Sequence, residues 1–426
     1  MLDHIISSLK ARPDISAWQV TKVDTKSHQL FMIKEEVESI RRVDTVKYHV
    51  TVHQLRGKVL GESSFVFLEG EDIAPKLDLA ALMAAGVSNQ PWSLPGPGQS
   101  YTASEIKDAS IALSAEKVIA KIKDEVLHSV GRLEGVRLSS SEVFADYREF
   151  ELVNSLGLGA KADDTQILWD FVLLAGSGHG EVESSGFSTV RLYKDLKVQE
   201  TLKRYAAYAK DSLTAKLPDN GKADVVFAGE ALDTLFNTFK AHAGGSAAHQ
   251  GWSRFENGKA VVEAPEGELL TLYSNPQIPG GMRSGPFDEN GLATKRVEVI
   301  KDNVYKGRAL DKRYADYLGG EATGGFSNVE VETGSKTTEE LLTEGSYHLL
   351  RFSTFEPNPV TGNFSGEIRT GYRVVGGEKV PIKGGSVTGE VFGAFRRAFF
   401  SSEKTTRSAY RGPAAVKLMG LDIGGE

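Results

Sequence analysis

The sequence predicts an α+β protein, with an N-terminal α/β-type region of antiparallel strands and flanking helices followed by a β-rich C-terminal domain. Three observations lead there. Short apolar or alternating runs recur along the chain, bounded by Gly, Pro, Asn and Asp turns. The longest amphipathic helical stretches lie before Ala243, and strand-like runs dominate the rest. At 426 residues the chain exceeds one ordinary core, so two or three domains are expected.

Composition narrows the function classes. Hydrophobic residues make up 40% and charged residues 25%, the balance of a soluble globular protein. The net charge is −7 with no long basic run, which argues against a nucleic-acid binder. There is no cysteine, so disulfides, thiolate metal sites and a cysteine nucleophile are excluded. The N-terminal MLDHIISSLKARPD lacks the apolar region of a signal peptide, and no window is apolar for long enough to span a bilayer. A cytoplasmic location without membrane contact is expected.

In chain order, Leu2, Ile5, Ile6 and Leu9 form the apolar stripe of a first helix. Strand runs follow at Trp18–Val23, Leu30–Ile33, Val46–Val52 and Val59–Leu68, with Lys34, Arg41 and Arg42 on a solvated edge. A helix over Ile73–Ala85 ends at Gly86, predicted as a left-handed cap. This completes a subdomain over residues 1–87. Residues 88–103, rich in Pro, Gly and Ser, read as a linker; a ligand loop using Trp92 and Tyr101 is the sharper reading of the same stretch.

A central α+β region spans residues 104–217. Ser114 is the predicted N-cap of a helix running to Val130, striped by Ile119, Ile122 and Val126. Strands are expected at Gly135–Ser140, Glu142–Asn154, Gln166–Ala175 and Glu181–Tyr193, then a helix over Glu200–Lys216. Gly176-Ser177-Gly178-His179-Gly180 mimics a phosphate cradle and, superficially, a nucleophile elbow. Extended, acidic Glu181-Val182-Glu183 follows where a helix is needed, so it reads as a hairpin turn with His179 exposed.

The C-terminal domain is placed at residues 222–426. Asp224–Ala228 reads as a buried strand and Glu230–Ala243 as a helix with Leu232, Leu235, Phe236 and Phe239 inward. Asp288-Glu289-Asn290-Gly291 is a turn, and Thr294–Ile300 with Val304–Leu310 forms a hairpin about Asp302-Asn303. Asp311 caps a helix to Leu318, the Gly319–Gly325 run is a turn, and Thr337 with Glu340 makes a capping box. Tyr347–Phe355, Glu367–Val375, Lys379–Lys383 and Ser386–Thr388 are strands, Val391–Phe400 a helix, and Ala414–Leu421 the closing strand. Arg396-Arg397 reads as a surface pair, with binding of an acidic peptide or C-terminal carboxylate as the sharper alternative.

Two spaced blocks carry a resemblance. Phe287-Asp288-x-x-Gly291, the hairpin, Lys306-Gly307 and Leu310-Asp311 are followed by Asn358-Pro359-Val360-Thr361-Gly362-Asn363-Phe364-Ser365, Gly377-Glu378 and Val380-Pro381. This order resembles the C-terminal domain of the TldD/PmbA family, described as modulators of DNA gyrase or peptide-maturation metalloproteases. Asn363 stands where the family pattern has Asp. The resemblance implies a peptide-binding role for Asp288, Asn358, Thr361 and Asn363.

Catalytic members carry His-Glu-x-x-x-His in the segment equivalent to Leu235–Phe255, plus a distant cysteine. Two imidazoles a helical turn apart hold zinc, and the glutamate takes a proton from its bound water. This chain has LFNTFKAHAGGSAAHQGWSRF, with no Glu and no cysteine. His242 and His249 are the candidate metal ligands, seven apart across Gly244-Gly245, a pair that costs a helix about 2 kcal/mol relative to alanines. Gly244-Gly245 and Ser253-x-Phe255 instead resemble the TldE/PmbA branch, which lacks the zinc motif.

The reading implied is a non-catalytic subunit of a cytoplasmic metallopeptidase assembly, with no catalytic residue and no cofactor of its own. Zinc is expected only in a TldD-like partner, and unfolded or extended peptide is the expected substrate. The alternatives are an active metallopeptidase using His242, His249 and a carboxylate such as Glu256 or Asp288, or a stand-alone peptide-binding homodimer.

Overall fold

The structure, a computed structural model, describes residues 1–425; Glu426 and the side chain of His179, expected to be an exposed loop histidine, lie outside the described residues. The N-terminal half is one antiparallel sheet of six strands: β1 (Ala17–Ile33), β2 (Glu36–Arg56), β3 (Val59–Leu68), β4 (Val136–Asn154), β5 (Gly159–Ala175) and β6 (Val182–Val190). Their order is β3-β2-β1-β4-β5-β6, so strands from residues 1–87 and from residues 104–217 share the sheet along the β1–β4 seam. The two short runs predicted before Lys34 are one strand of 17 residues. Polar Asp24–Gln29 stays extended because β2 and β4 pair with it on both sides. The runs on either side of Ser141 merge into β4 for the same reason.

Helices α1 (Leu2–Lys10) and α2 (Ile73–Ala85) cover one end of the sheet, burying Ile5, Leu9 and Leu77 against Trp18, Val50 and Phe67. Helices α3 (Ala109–Val130) and α4 (Val198–Ser212) cover the other, around Ile122, Trp169, Phe171 and Leu202. Two capping expectations fail. Gly86 has φ −81°, a right-handed end rather than a left-handed cap. α3 begins at Asp108, whose carboxylate accepts from the Ser110 N–H, and Ser114 sits at a kink with φ −163°. Asp108 takes the cap because its other oxygen also accepts from the Tyr193 N–H at 2.9 Å.

The C-terminal half runs β7 (Gly221–Ala228), α5 (Asn237–His242), α6 (Gly245–His249), β8 (Leu272–Asn275), β9 (Val297–Lys301), β10 (Val304–Tyr305), α7 (Lys312–Leu318), β11 (Asn328–Val331) and α8 (Thr338–Leu341). It continues through β12 (Tyr347–Phe355), β13 (Asn363–Val375), β14 (Glu378–Ile382), β15 (Ser386–Glu390), α9 (Val391–Phe395), β16 (Ala398–Phe400), β17 (Lys404–Arg407), β18 (Tyr410–Pro413) and β19 (Ala415–Gly424). β12, β7, β19, β15 and β13 pair in that order, and β12 also pairs with β13, which closes five strands into a barrel. A second sheet, ordered β10-β9-β8-β11-β18-β17, packs with α5 on the same core, where Phe227, Leu349 and Leu418 meet Phe239, Leu272 and Ile300.

One predicted helix and one predicted strand are shorter than expected. Val391–Phe400 splits, because Ala398–Phe400 pairs with β19. The hairpin strand after Asp302-Asn303 holds only two ladder residues; both turn residues have positive φ, 48° and 65°, as a tight antiparallel turn requires. The Asp311 cap and the Thr337–Glu340 capping box form as predicted.

Residues 88–103 run extended across the junction of the two halves. The Ser93 N–H donates to Asp316, Asn154 Nδ2 to the Pro95 carbonyl, and Tyr101 Oη to the Gly291 carbonyl at 2.9 Å. Among the described residues no helix is long and apolar enough to cross a membrane.

Candidate functional site

The site grows from the segment predicted as one helix over Glu230–Ala243. Gly229 breaks its start: its φ is +62°, and a Cβ there would stand 2.8 Å from the Leu350 carbonyl oxygen. A single 3₁₀ stretch follows to Asp233, and α5 begins only at Asn237. At the other end Gly244 is extended (φ −73°, ψ 155°), turning the chain into the separate helix α6. Gly245 lies against α7, where a Cβ would come within 2.3 Å of Tyr314 Cβ. The glycine pair thus does two jobs, a turn and a close helix–helix approach.

This break sends the two histidines to different surroundings. His249 is exposed beside the Tyr317 ring, 4.7 Å between centroids. His242 is fully buried among the rings of Trp252, Phe255 and Phe392. Its Nδ1 accepts from the Arg254 N–H at 3.0 Å, which leaves Nε2 as the donor to the Val360 carbonyl at 3.1 Å. Burial lowers the pKa of this ring and keeps it neutral. Both nitrogens are engaged, so neither lone pair is directed at a metal. Glu256, the carboxylate considered with them, is exposed, and among the described residues no three His, Asp or Glu side chains cluster as metal donors.

The Asn358–Asn363 turn closes over the same point. Asn358 Oδ1 accepts from the N–H groups of Val360 and Thr361, both at 2.9 Å, and Thr361 Oγ1 accepts from the Asn363 N–H at 3.3 Å. Asn358 and Thr361 therefore shape the turn that presents Val360 to His242. Asn363, where the family pattern has Asp, is exposed at the start of β13. Thr238 Oγ1 donates to the Asn358 carbonyl, tying the turn to α5.

From below, Arg308 gathers the segment. Its guanidinium donates to the carbonyls of His242 at 2.8 Å and Phe255 at 3.2 Å, and Ser253 Oγ donates to the His242 carbonyl at 2.7 Å. Gly-Gly, Ser-x-Phe and the residues after Lys306-Gly307, far apart in sequence, are thus one packed unit. Beside it lies a groove of about 820 Å³, bounded by Ala248, Val297, Glu298, Lys306, Leu310 and Glu321. β10 pairs only with Ile300 and Lys301, so on the side away from β8 the Val297–Glu298 end of β9 has no strand neighbour and lines this groove. Sequence reasoning did not find the groove; the brevity of β10 is its cause, and no residue pattern announces it.

Asp288 stands elsewhere, in a cleft of about 560 Å³ between the Ser284–Asn290 loop and the N-terminal sheet. Its Oδ1 accepts from the N–H groups of Asn290 and Leu292, both at 2.9 Å. Burial pushes its carboxyl up to about 6, against those two bonds and with help from Asp311. Gly291 has φ +80° and packs so closely on Leu158 that a Cβ would come within 2.4 Å. The structure therefore brings Asn358, Thr361 and Asn363 together with His242 and places Asp288 and His249 apart from them.

Comparison with known proteins agrees with this architecture. Residues 220–425 match the PmbA/TldA metallopeptidase C-terminal domain. The chain is 31% identical over 128 residues to the metalloprotease PmbA of Escherichia coli O157:H7, covering 29% of this chain and 28% of that protein. The curated relatives it matches are each covered over well under half their length. In fold, the chain superposes on a DNA-gyrase-modulator candidate from Thermotoga maritima with a TM-score of 0.83 at 19% identity, covering 100% of both chains. TldE from Thermococcus kodakarensis gives 0.81 at 18% identity, again over 100% of both. Both sequence blocks lie inside the matched domain, and the chain belongs to the TldD/PmbA family.

Proposed function

We propose that this chain is a TldE/PmbA-like subunit that grips extended peptide for a metallopeptidase assembly and leaves bond cleavage to a TldD-like partner. The observation that carries this reading is His242, which is buried, neutral and hydrogen-bonded at both ring nitrogens. The metallopeptidase description raises zinc as the group to test, and the residues here do not fit it. A tetrahedral site needs free lone pairs from three or four donors. The nearest histidine has none, and the sequence contains no cysteine.

The groove beside β9 supports the other half of the reading. An uncovered strand edge grips a peptide through main-chain hydrogen bonds, which tolerates varied side chains. Lys295 is held by Glu321 at 2.6 Å and Arg296 by Glu330 at 3.1 Å. These two rim cations are thus neutralised in pairs, which suits a ligand recognised by its backbone. The working place is the cytoplasm, and the partner is a catalytic relative or a second copy of this chain.

The test is reconstitution. The purified chain alone should leave unfolded peptide intact, and adding a partner bearing His-Glu-x-x-x-His should produce chelator-sensitive cleavage. Chelator-sensitive cleavage by the isolated chain, with stoichiometric zinc bound, would overturn the proposal.

A further inference from the structure

We infer that the bare face of the N-terminal sheet, opposite α3 and α4, is the surface on which a second copy of this chain docks, with β2 of each copy over β5 of the other. Resting on the proposed function only for the expectation of a partner, this docking needs neither peptide nor zinc.

Strand register sets the face. Arg41, Gln29, Phe144, Leu168 and Thr189 stand opposite one another across β2, β1, β4, β5 and β6. Ser39, Phe31, Glu142, Asp170 and Phe187 form the next row on the same side. α3 and α4 bury the alternate residues Val143, Trp169 and Phe171 on the other side. No side chain in the two rows is buried, and Phe187 is 54% exposed.

An antiparallel sheet with one covered face normally turns polar residues to water on the other. Here Phe31 and Phe144 meet edge to face, 5.5 Å between centroids, with Leu168 in register beside Phe144. An apolar patch of this kind marks an interaction surface. At the usual strand spacing and rise, the face from Ser27 to Ile33 covers roughly 550 Å² a side, so about 1,100 Å² for a pair, above the roughly 1,000 Å² that a specific interface needs.

Charge names the occupant. Glu142 and Asp170 are directly opposite across β4 and β5, a like-charge pair that destabilises a sheet unless a cation lies over it. Burial, and then Glu142, pushes the Asp170 carboxyl up. Arg148 and Arg191 are both held by Asp164, and among the described residues neither acid has an ion-pair partner. The opposite excess lies on β2. The Arg41 guanidinium rests 4.6 Å from the Phe31 ring centroid without an acid, while Arg42 takes Asp44 at 2.7 Å.

A copy turned about a two-fold axis along the β1–β4 seam brings each Arg41 over the other copy's Leu168–Asp170 segment and satisfies both excesses at once. Aligned sheets pack about 10 Å apart, a gap that an arginine and an aspartate span together. A partner of uniform charge would meet one excess and repel the other.

The experiment is sedimentation equilibrium of the full chain, without metal or peptide, over about 1–100 μM. The wild type should be a dimer. Leu168→Glu and Arg41→Glu should each weaken association at least about tenfold, and Arg41→Glu combined with Asp170→Arg should recover most of the loss. Circular dichroism checks folding, and exposed Arg41 keeps the test open even if Leu168→Glu does not fold. A monomeric wild type, a dimer untouched by the single substitutions, or no recovery in the double variant would overturn the inference. A chain that stays monomeric alone yet joins a His-Glu-x-x-x-His partner would overturn it too, while leaving the proposed function standing.

Discussion

His242 Nε2 donates to the carbonyl oxygen of Val360, so the loop of one motif block occupies one ring nitrogen while the Arg254 N–H occupies the other. The contact joins residues 118 apart in sequence and sits under three aromatic rings. Replacing His242 with alanine removes both bonds and opens a cavity. A loss of about 2–4 kcal/mol in urea unfolding is expected, with no change in zinc content.

The same ring makes stability depend on pH in a defined sense. Its folded-state pKa lies below the ordinary histidine value, so the unfolded chain takes up the proton first as pH falls. The contribution is complete above about pH 6.5 and is lost progressively below it, down to the folded pKa. Unfolding midpoints of wild type and His242→Gln should converge as pH falls through that window.

Asp288 works in the opposite direction. Its folded pKa of about 6 exceeds the model-peptide value of 3.8, so the native state holds the proton longer. Its stabilising contribution is present below about pH 4 and is lost as pH rises to 6, by on the order of 2 kcal/mol. Asp288→Asn abolishes that slope. Urea titrations at pH 4.5 and 7 on both proteins measure it.

Gly245 and Gly319 separate the two roles a glycine plays here. Gly245→Ala places a Cβ 2.3 Å from Tyr314 Cβ and must push α6 off α7, at a cost of about 1–3 kcal/mol. Gly319 has φ +66° with open space around it, so Gly319→Asn should cost less than about 1 kcal/mol. Thermal melts of the two variants should differ in that order.

The junction of the two halves hangs on Arg191, which is 6% exposed. It bonds Asp164 on one side and the carbonyls of Gly281 at 3.1 Å and Met282 at 2.9 Å on the other. Arg191→Met leaves Asp164 to Arg148 alone and the Gly281 and Met282 carbonyls without their donor, and should cost about 2–4 kcal/mol. Limited proteolysis should then cut between Pro276 and Pro286 first, where wild type resists.

Most features that depend on neighbours in the chain were legible in the residues, the Gly86 and Ser114 caps excepted. The Asp311 cap, the Thr337–Glu340 box, β3 and β12 are set by side chains within a few positions of the backbone they serve. The motif blocks and the missing cysteine and glutamate were legible too, because they are matters of residue order. Tertiary structure decided the rest. Asp24–Gln29 is strand only because two partners flank it, and Glu230–Ala243 opens as a 3₁₀ stretch, with α5 starting only at Asn237, where Gly229 presses against Leu350. The cleft pairs Gln19 with Glu289 across 270 positions, and no local pattern encodes that meeting. Propensity acts over one or two turns of chain, whereas a cavity exists only once distant surfaces have packed.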